Sequence, residues 1–68
     1  MLYTPKTIEA FRIADTYHRG QTDKSGAPYL IHLYRVADSM ATEAETVTAL
    51  LHDLLEDTDA EENVLSPF

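Results

Sequence analysis

Apolar positions along the 68-residue chain recur at helical spacing in three stretches, with polar residues between them. The first carries Ile8, Phe11, Ala14 (or Asp15) and Tyr17 (or His18) behind Thr4-Pro5, the form of an N-cap followed by proline at the first helical position. A helix is expected over 5–19, where Gly20 breaks it. Gln21 to Pro28 contains Asp23, Lys24, Ser25 and Gly26, which is turn chemistry. Leu30, Leu33, Val36, Ala37 and Met40 resume the 3.6-residue period and predict a second helix over 29–40. Thr42 with Glu45 three residues later has the form of a capping box, opening a third helix over 43–56 with the stripe Val47, Leu50, Leu51, Leu54 and Leu55. From Thr58 to Asn63 the chain is acidic and polar, and neither a strand pattern nor an internal repeat is present. The fold class expected is all-α, in one domain.

Composition narrows what such a domain can do. A core built from 68 residues is marginal unless a metal or a partner subunit adds to it. The chain has no cysteine, so disulfides and thiolate metal sites are excluded and any metal must sit on His, Asp or Glu. Twelve acids against five bases give a formal charge of −7, which argues against a nucleic-acid-binding surface. The same charge repels polyphosphates, so such a substrate needs a local positive element, either a divalent ion or placed bases such as Arg19, Lys24 and Arg35. No apolar run approaches the roughly 18 residues that span a bilayer, and the N-terminus lacks a signal-peptide pattern; no membrane association and a cytoplasmic location are the expectation.

The candidate chemistry lies in Leu50-Leu51-His52-Asp53-Leu54-Leu55-Glu56-Asp57, where ionisable groups are embedded among four leucines. A buried carboxylate requires a cation, a basic partner or water, so Asp53 needs one of these. His52 beside it is the commonest type of metal ligand. Helical spacing sets Glu56 one turn from His52 and Asp57 one turn from Asp53, giving carboxylates suited to proton transfer at a metal-held water. A hydrogen-bonded His-Asp pair at a solvated helix edge is the other reading of the same residues. His18, at the end of the first helix, fits a structural role on the last carbonyls. The tyrosines read as packing residues, with Tyr29 the best exception.

Three ordered motifs then change the picture. His18-Arg19-Gly20-Gln21, Lys24-Ser25-Gly26-Ala27-Pro28-Tyr29-Leu30-Ile31-His32 and Leu50 to Thr58 together resemble the hydrolase domain of the bifunctional alarmone synthetase-hydrolases and of the small alarmone hydrolases. The resemblance covers roughly Ile8 to Thr58 and implies the N-terminal three-helix portion of an HD-domain bundle, with residues 1–68 a single partial domain. It implies metal ligation by His32, His52 and Asp53, water activation and proton transfer by Glu56 and Asp57, and nucleotide contact by Lys24 and Ser25. The implied cofactor is a divalent metal, usually Mn2+, to which an oxygen-and-imidazole set is suited. The implied reaction is removal of pyrophosphate from the 3′ position of a guanosine polyphosphate nucleotide.

The sequence also departs from that family. Asp23 stands where a basic residue is common, and Leu33 where proline usually follows the histidine. The family's fourth ligand, an aspartate on a later helix, has no counterpart here. Three helices alone would expose an apolar face, so a homo-oligomer is expected. The alternative function is a shortened, catalytically inactive helical module that oligomerises or binds nucleotide without cleaving it.

Overall fold

The computed structural model describes residues Met1–Phe68 and is all-helical: α1 Pro5–His18, α2 Tyr29–Asp38, α3 Glu43–Leu51, α4 Leu54–Asp57, then a single 3-10 turn, Glu62–Leu65. The first start follows the capping chemistry. Thr7 N–H donates to Thr4 Oγ1 at 3.2 Å and Thr4 N–H to Thr7 Oγ1 at 2.8 Å, a reciprocal box built with threonine in place of glutamate. At the start of α3, Glu45 N–H donates to Thr42 Oγ1 at 3.2 Å. Gly20 and Gly26 take φ of 88° and 87°, a region closed to most side chains, and so turn the chain between α1 and α2. The only strand-like feature is an isolated antiparallel bridge between Thr22 and Pro28 that closes this turn.

α1 and α2 both pack on α3. Half of the core where they meet is alanine: Ala10, Ala37 and Ala49 join Leu50, Leu51 and Leu54. Small side chains let the helices approach closely. This shifts the buried stripe of α1 from the expected one. Thr7, Ala10, Ala14 and His18 are buried, whereas Ile8 is 45% exposed and Phe11 half-buried. α1 and α2 keep an uncovered apolar side, where Ile8, Ile31 and Tyr34 are 38–45% exposed.

The third predicted helix is two helices. α3 ends at Leu51, His52 and Asp53 form a turn, and α4 restarts at Leu54. His52 Nδ1 lies 2.8 Å from the Ala49 carbonyl, the acceptor that helix continuation would give to the Asp53 amide. Asp53 accordingly sits at φ −100°, ψ 1°, between the helical and extended regions. α1 ends one residue and α2 two residues before the expected 5–19 and 29–40 limits.

Candidate metal centre

The break in the helix brings His52 and Asp53 together. His52 Nε2 stands 3.0 Å from Asp53 Oδ2, with the histidine side chain 41% exposed and the aspartate 24%. The carbonyl of Ala49 can only accept, so His52 Nδ1 carries a proton. In the neutral ring Nε2 then presents its lone pair towards a carboxylate oxygen. Two lone-pair atoms at this distance repel unless a proton or a metal ion sits between them. An Nδ1–H held by a backbone carbonyl is also how metal-bound histidines are commonly oriented.

A spacing of 3.0 Å is one that neighbouring donors around an ion can adopt. With metal–ligand bonds of roughly 2.1 Å, neighbouring donors in an octahedral shell lie about 3.0 Å apart and those in a tetrahedral shell about 3.4 Å. The pair stands at 3.0 Å, which is equally the length of an ordinary N–H···O hydrogen bond and by itself selects no ion. It does not make a complete cage: no three His, Asp or Glu side chains are gathered closely enough to hold a metal. His32, exposed on α2, has its ring 5.5 Å from that of Tyr29, whose hydroxyl donates to Asp53 Oδ2 at 2.5 Å. Tyr29 thus neighbours both His32 and Asp53, while His32 does not join His52 and Asp53 in one ligand cluster.

Tyr29 is the site residue that periodicity did not single out. The hydrogen bond to Asp53 is the main cause that pushes its phenol up to about 12, with burial and the charges of Asp53 and Asp57 adding to it. The signal that pointed to it was the Pro28-Tyr29 motif. His18 and Gln21 form a second tie: His18 Nδ1 donates to Gln21 Oε1 at 2.9 Å, and Gln21 Nε2 donates to the Asp57 carbonyl at 2.8 Å. The acceptor-only carbonyl fixes which end of the Gln21 amide faces which partner. His18 is buried, its ring 5.1 Å from that of Tyr29, and Nε2 has no partner.

Glu56 and Asp57 are exposed on α4, and Asp57 N–H donates to Asp53 O at 2.9 Å, so those two residues keep a one-turn relation despite the break. Lys24 and Ser25 lie exposed on the α1–α2 loop, and Lys24 makes no ion pair. Ser25 Oγ donates to Asp23 Oδ1 at 2.7 Å, so its proton is directed at the loop itself. Arg19 is paired with Asp15 at 3.1 Å. A groove of about 440 Å³ bounded by Val36, Met40, Thr48, Ala49 and His52 runs beside the pair. No helix is long and apolar enough to cross a membrane.

No protein-family model matches the chain. Individual proteins do. It is 44% identical over 62 residues to a GTP pyrophosphokinase of Myxococcus xanthus, an alignment covering 85% of this chain and 8% of that protein. It is 44% identical over 64 residues to the guanosine-3′,5′-bis(diphosphate) 3′-pyrophosphohydrolase of Vibrio cholerae, covering 82% of this chain and 9% of the relative. The bifunctional (p)ppGpp synthase/hydrolase SpoT of Escherichia coli strain K12 is 45% identical over 56 residues, 76% of this chain and 8% of its own. Some of these relatives are named for synthesis and others for hydrolysis. The chain is therefore homologous to one short segment, less than a tenth of the length, of (p)ppGpp synthase/hydrolase proteins.

Proposed function

We propose that the chain forms the metal-binding part of an HD-type phosphohydrolase centre that removes pyrophosphate from the 3′ position of guanosine tetra- or pentaphosphate. The observation that carries this reading is the His52–Asp53 pair: two donor atoms 3.0 Å apart, with the far nitrogen of the ring committed to a backbone carbonyl. The names of the relatives that are called 3′-pyrophosphohydrolases support the nucleotide class.

His52 and Asp53 would hold a divalent ion, Mn2+ being the choice, with His32, which does not stand in one ligand cluster with them, as the third ligand the resemblance implies; such an ion would supply positive charge beside the phosphoryl oxygens and make water more acidic. The rest is work for the chain's own groups. The exposed carboxylates of Glu56 and Asp57 take a proton from the attacking water as its oxygen bonds to phosphorus. The same groups return a proton to the nucleoside 3′ oxygen as its bond to phosphorus breaks, so pyrophosphate and the 3′ alcohol leave. The Lys24 ammonium, free of any ion pair, meets the diphosphate, and Ser25 keeps the loop beside it in shape through Asp23.

The test is incubation of the chain with guanosine tetraphosphate and Mn2+, following pyrophosphate release. Release that disappears in His52→Ala and in Asp53→Asn supports the reading; no release by the metal-loaded wild type ends it. A second reading, a helical module that assembles with further copies and does not cleave nucleotide, is favoured by the uncovered side of α1 and α2, where Tyr3, Ile8, Ile31 and Tyr34 are 38–67% exposed. Metal analysis together with sedimentation separates the two, since a stable oligomer without stoichiometric metal fits only the second.

A further inference from the structure

Resting on the reading that His52 and Asp53 hold a divalent ion, we propose that Tyr29 is a positioning residue that keeps the Asp53 carboxylate turned towards His52 and away from the N-terminus of α4. Asp53 occupies the N-cap position of α4, where an aspartate normally accepts from the second or third amide of the helix. Here it makes no such bond. Its Oδ2 instead accepts from the Tyr29 hydroxyl at 2.5 Å and faces His52 Nε2 at 3.0 Å.

The arrangement needs an anchor, because the carboxylate makes no bond to the amides of α4 that would otherwise fix it. Tyr29 is built to provide it. Its ring is set between His18 at 5.1 Å and His32 at 5.5 Å, and its backbone N–H donates to Gln21 O at 2.9 Å. The tyrosine is thus fixed at both its main chain and its ring, and its hydroxyl reaches across from the start of α2 to a residue 24 positions later. Without that hydroxyl, the compensation that the N-cap position offers the carboxylate is the second and third amides of α4, those of Leu55 and Glu56. Turning there would cap α4 and take Oδ2 out of the donor pair. Partners that orient a metal ligand in this way typically alter metal affinity 10–100-fold when removed.

The experiment compares the wild-type chain with Tyr29→Phe by Mn2+ titration, reading free ion by electron paramagnetic resonance, and by amide hydrogen exchange of the metal-free forms. Tyr34→Phe, which removes a hydroxyl contact with Tyr3 on the far side of α2, serves as the control. Expected for Tyr29→Phe are roughly 10–100-fold weaker Mn2+ binding and slower exchange at Leu55 and Glu56. A loss of structure alone would speed that exchange, so its direction is diagnostic. Equal or tighter Mn2+ binding in Tyr29→Phe overturns the proposal. So does a wild-type chain whose Leu55 and Glu56 amides are already protected as in a capped turn, a measurement that needs no variant to fold. Wild type that binds no Mn2+, while Tyr29→Phe still slows exchange at α4, overturns the metal reading and leaves the role of Tyr29 in place.

Discussion

At Asp23 the chain turns a carboxylate onto its own backbone. Oδ1 accepts from Ser25 N–H at 2.9 Å, Ser25 Oγ at 2.7 Å and Ala27 N–H at 3.0 Å, which shapes the loop that carries Lys24. The Ser25 hydroxyl is the main reason its carboxyl lies below the ordinary 3.8. A lowered value means that the folded chain favours the carboxylate. The loop's stabilisation is present above the unfolded value and fades as the pH falls through the lower folded one. Weaker protection of the Ser25 and Ala27 amides, relative to their intrinsic exchange rates at each pH, is therefore expected on acidification below about pH 4, with Asp23→Ala showing it already at neutral pH. Equal exchange in the variant at neutral pH would refute the role. Tyr29 has the opposite sign. Its phenol is raised from 10.0 to about 12, so the bond to Asp53 is intact below pH 10.0 and lost as the pH rises towards 12. The difference between the ultraviolet titrations of metal-free wild type and Tyr29→Phe should show one phenol ionising near 12.

Among the elements, those whose signals are local were legible in the sequence. Thr4, Pro5 and Thr42 mark two helix starts that the structure uses, and Thr4→Ala should lower the unfolding free energy by about 1 kcal/mol, read from denaturant melts. What was not legible depends on long-range packing or on a side chain competing with the main chain. The Ile8-Phe11 stripe has the right period but not the buried face, because the helices meet through alanine and threonine, whose small size hides them from a hydrophobicity pattern. The break at His52 was masked by leucines on both sides that continue the period, while the deciding bond is one imidazole nitrogen on the Ala49 carbonyl. That break also limits what spacing could say about the site. Adjacent His52 and Asp53 would point about 100° apart on a continuous helix, and it is the turn that lets Nε2 and Oδ2 meet.

As a whole molecule, the chain combines a thin core with a concentrated negative charge. Only 11 of 68 residues are buried, and six acids, Asp53, Glu56, Asp57, Asp59, Glu61 and Glu62, lie within ten consecutive positions from Asp53 to Glu62. No lysine or arginine forms an ion pair with any of them. A divalent ion on His52 and Asp53 would relieve part of that repulsion and stabilise the native state by mass action. Binding to the folded state alone adds about 2.7 kcal/mol at a hundred times Kd. In a chain of this size each kcal/mol moves Tm by roughly 4–8 °C, so Mn2+ at that level should raise Tm by roughly 10–20 °C. Chelator should reverse the gain. Asp53→Asn should melt at the same temperature with and without Mn2+, because it loses the charged oxygen of the pair. Equal Mn2+-induced shifts in Asp53→Asn and wild type would mean that the ion binds the acidic segment diffusely, and the His52–Asp53 pair would then lose its claim to be the metal centre.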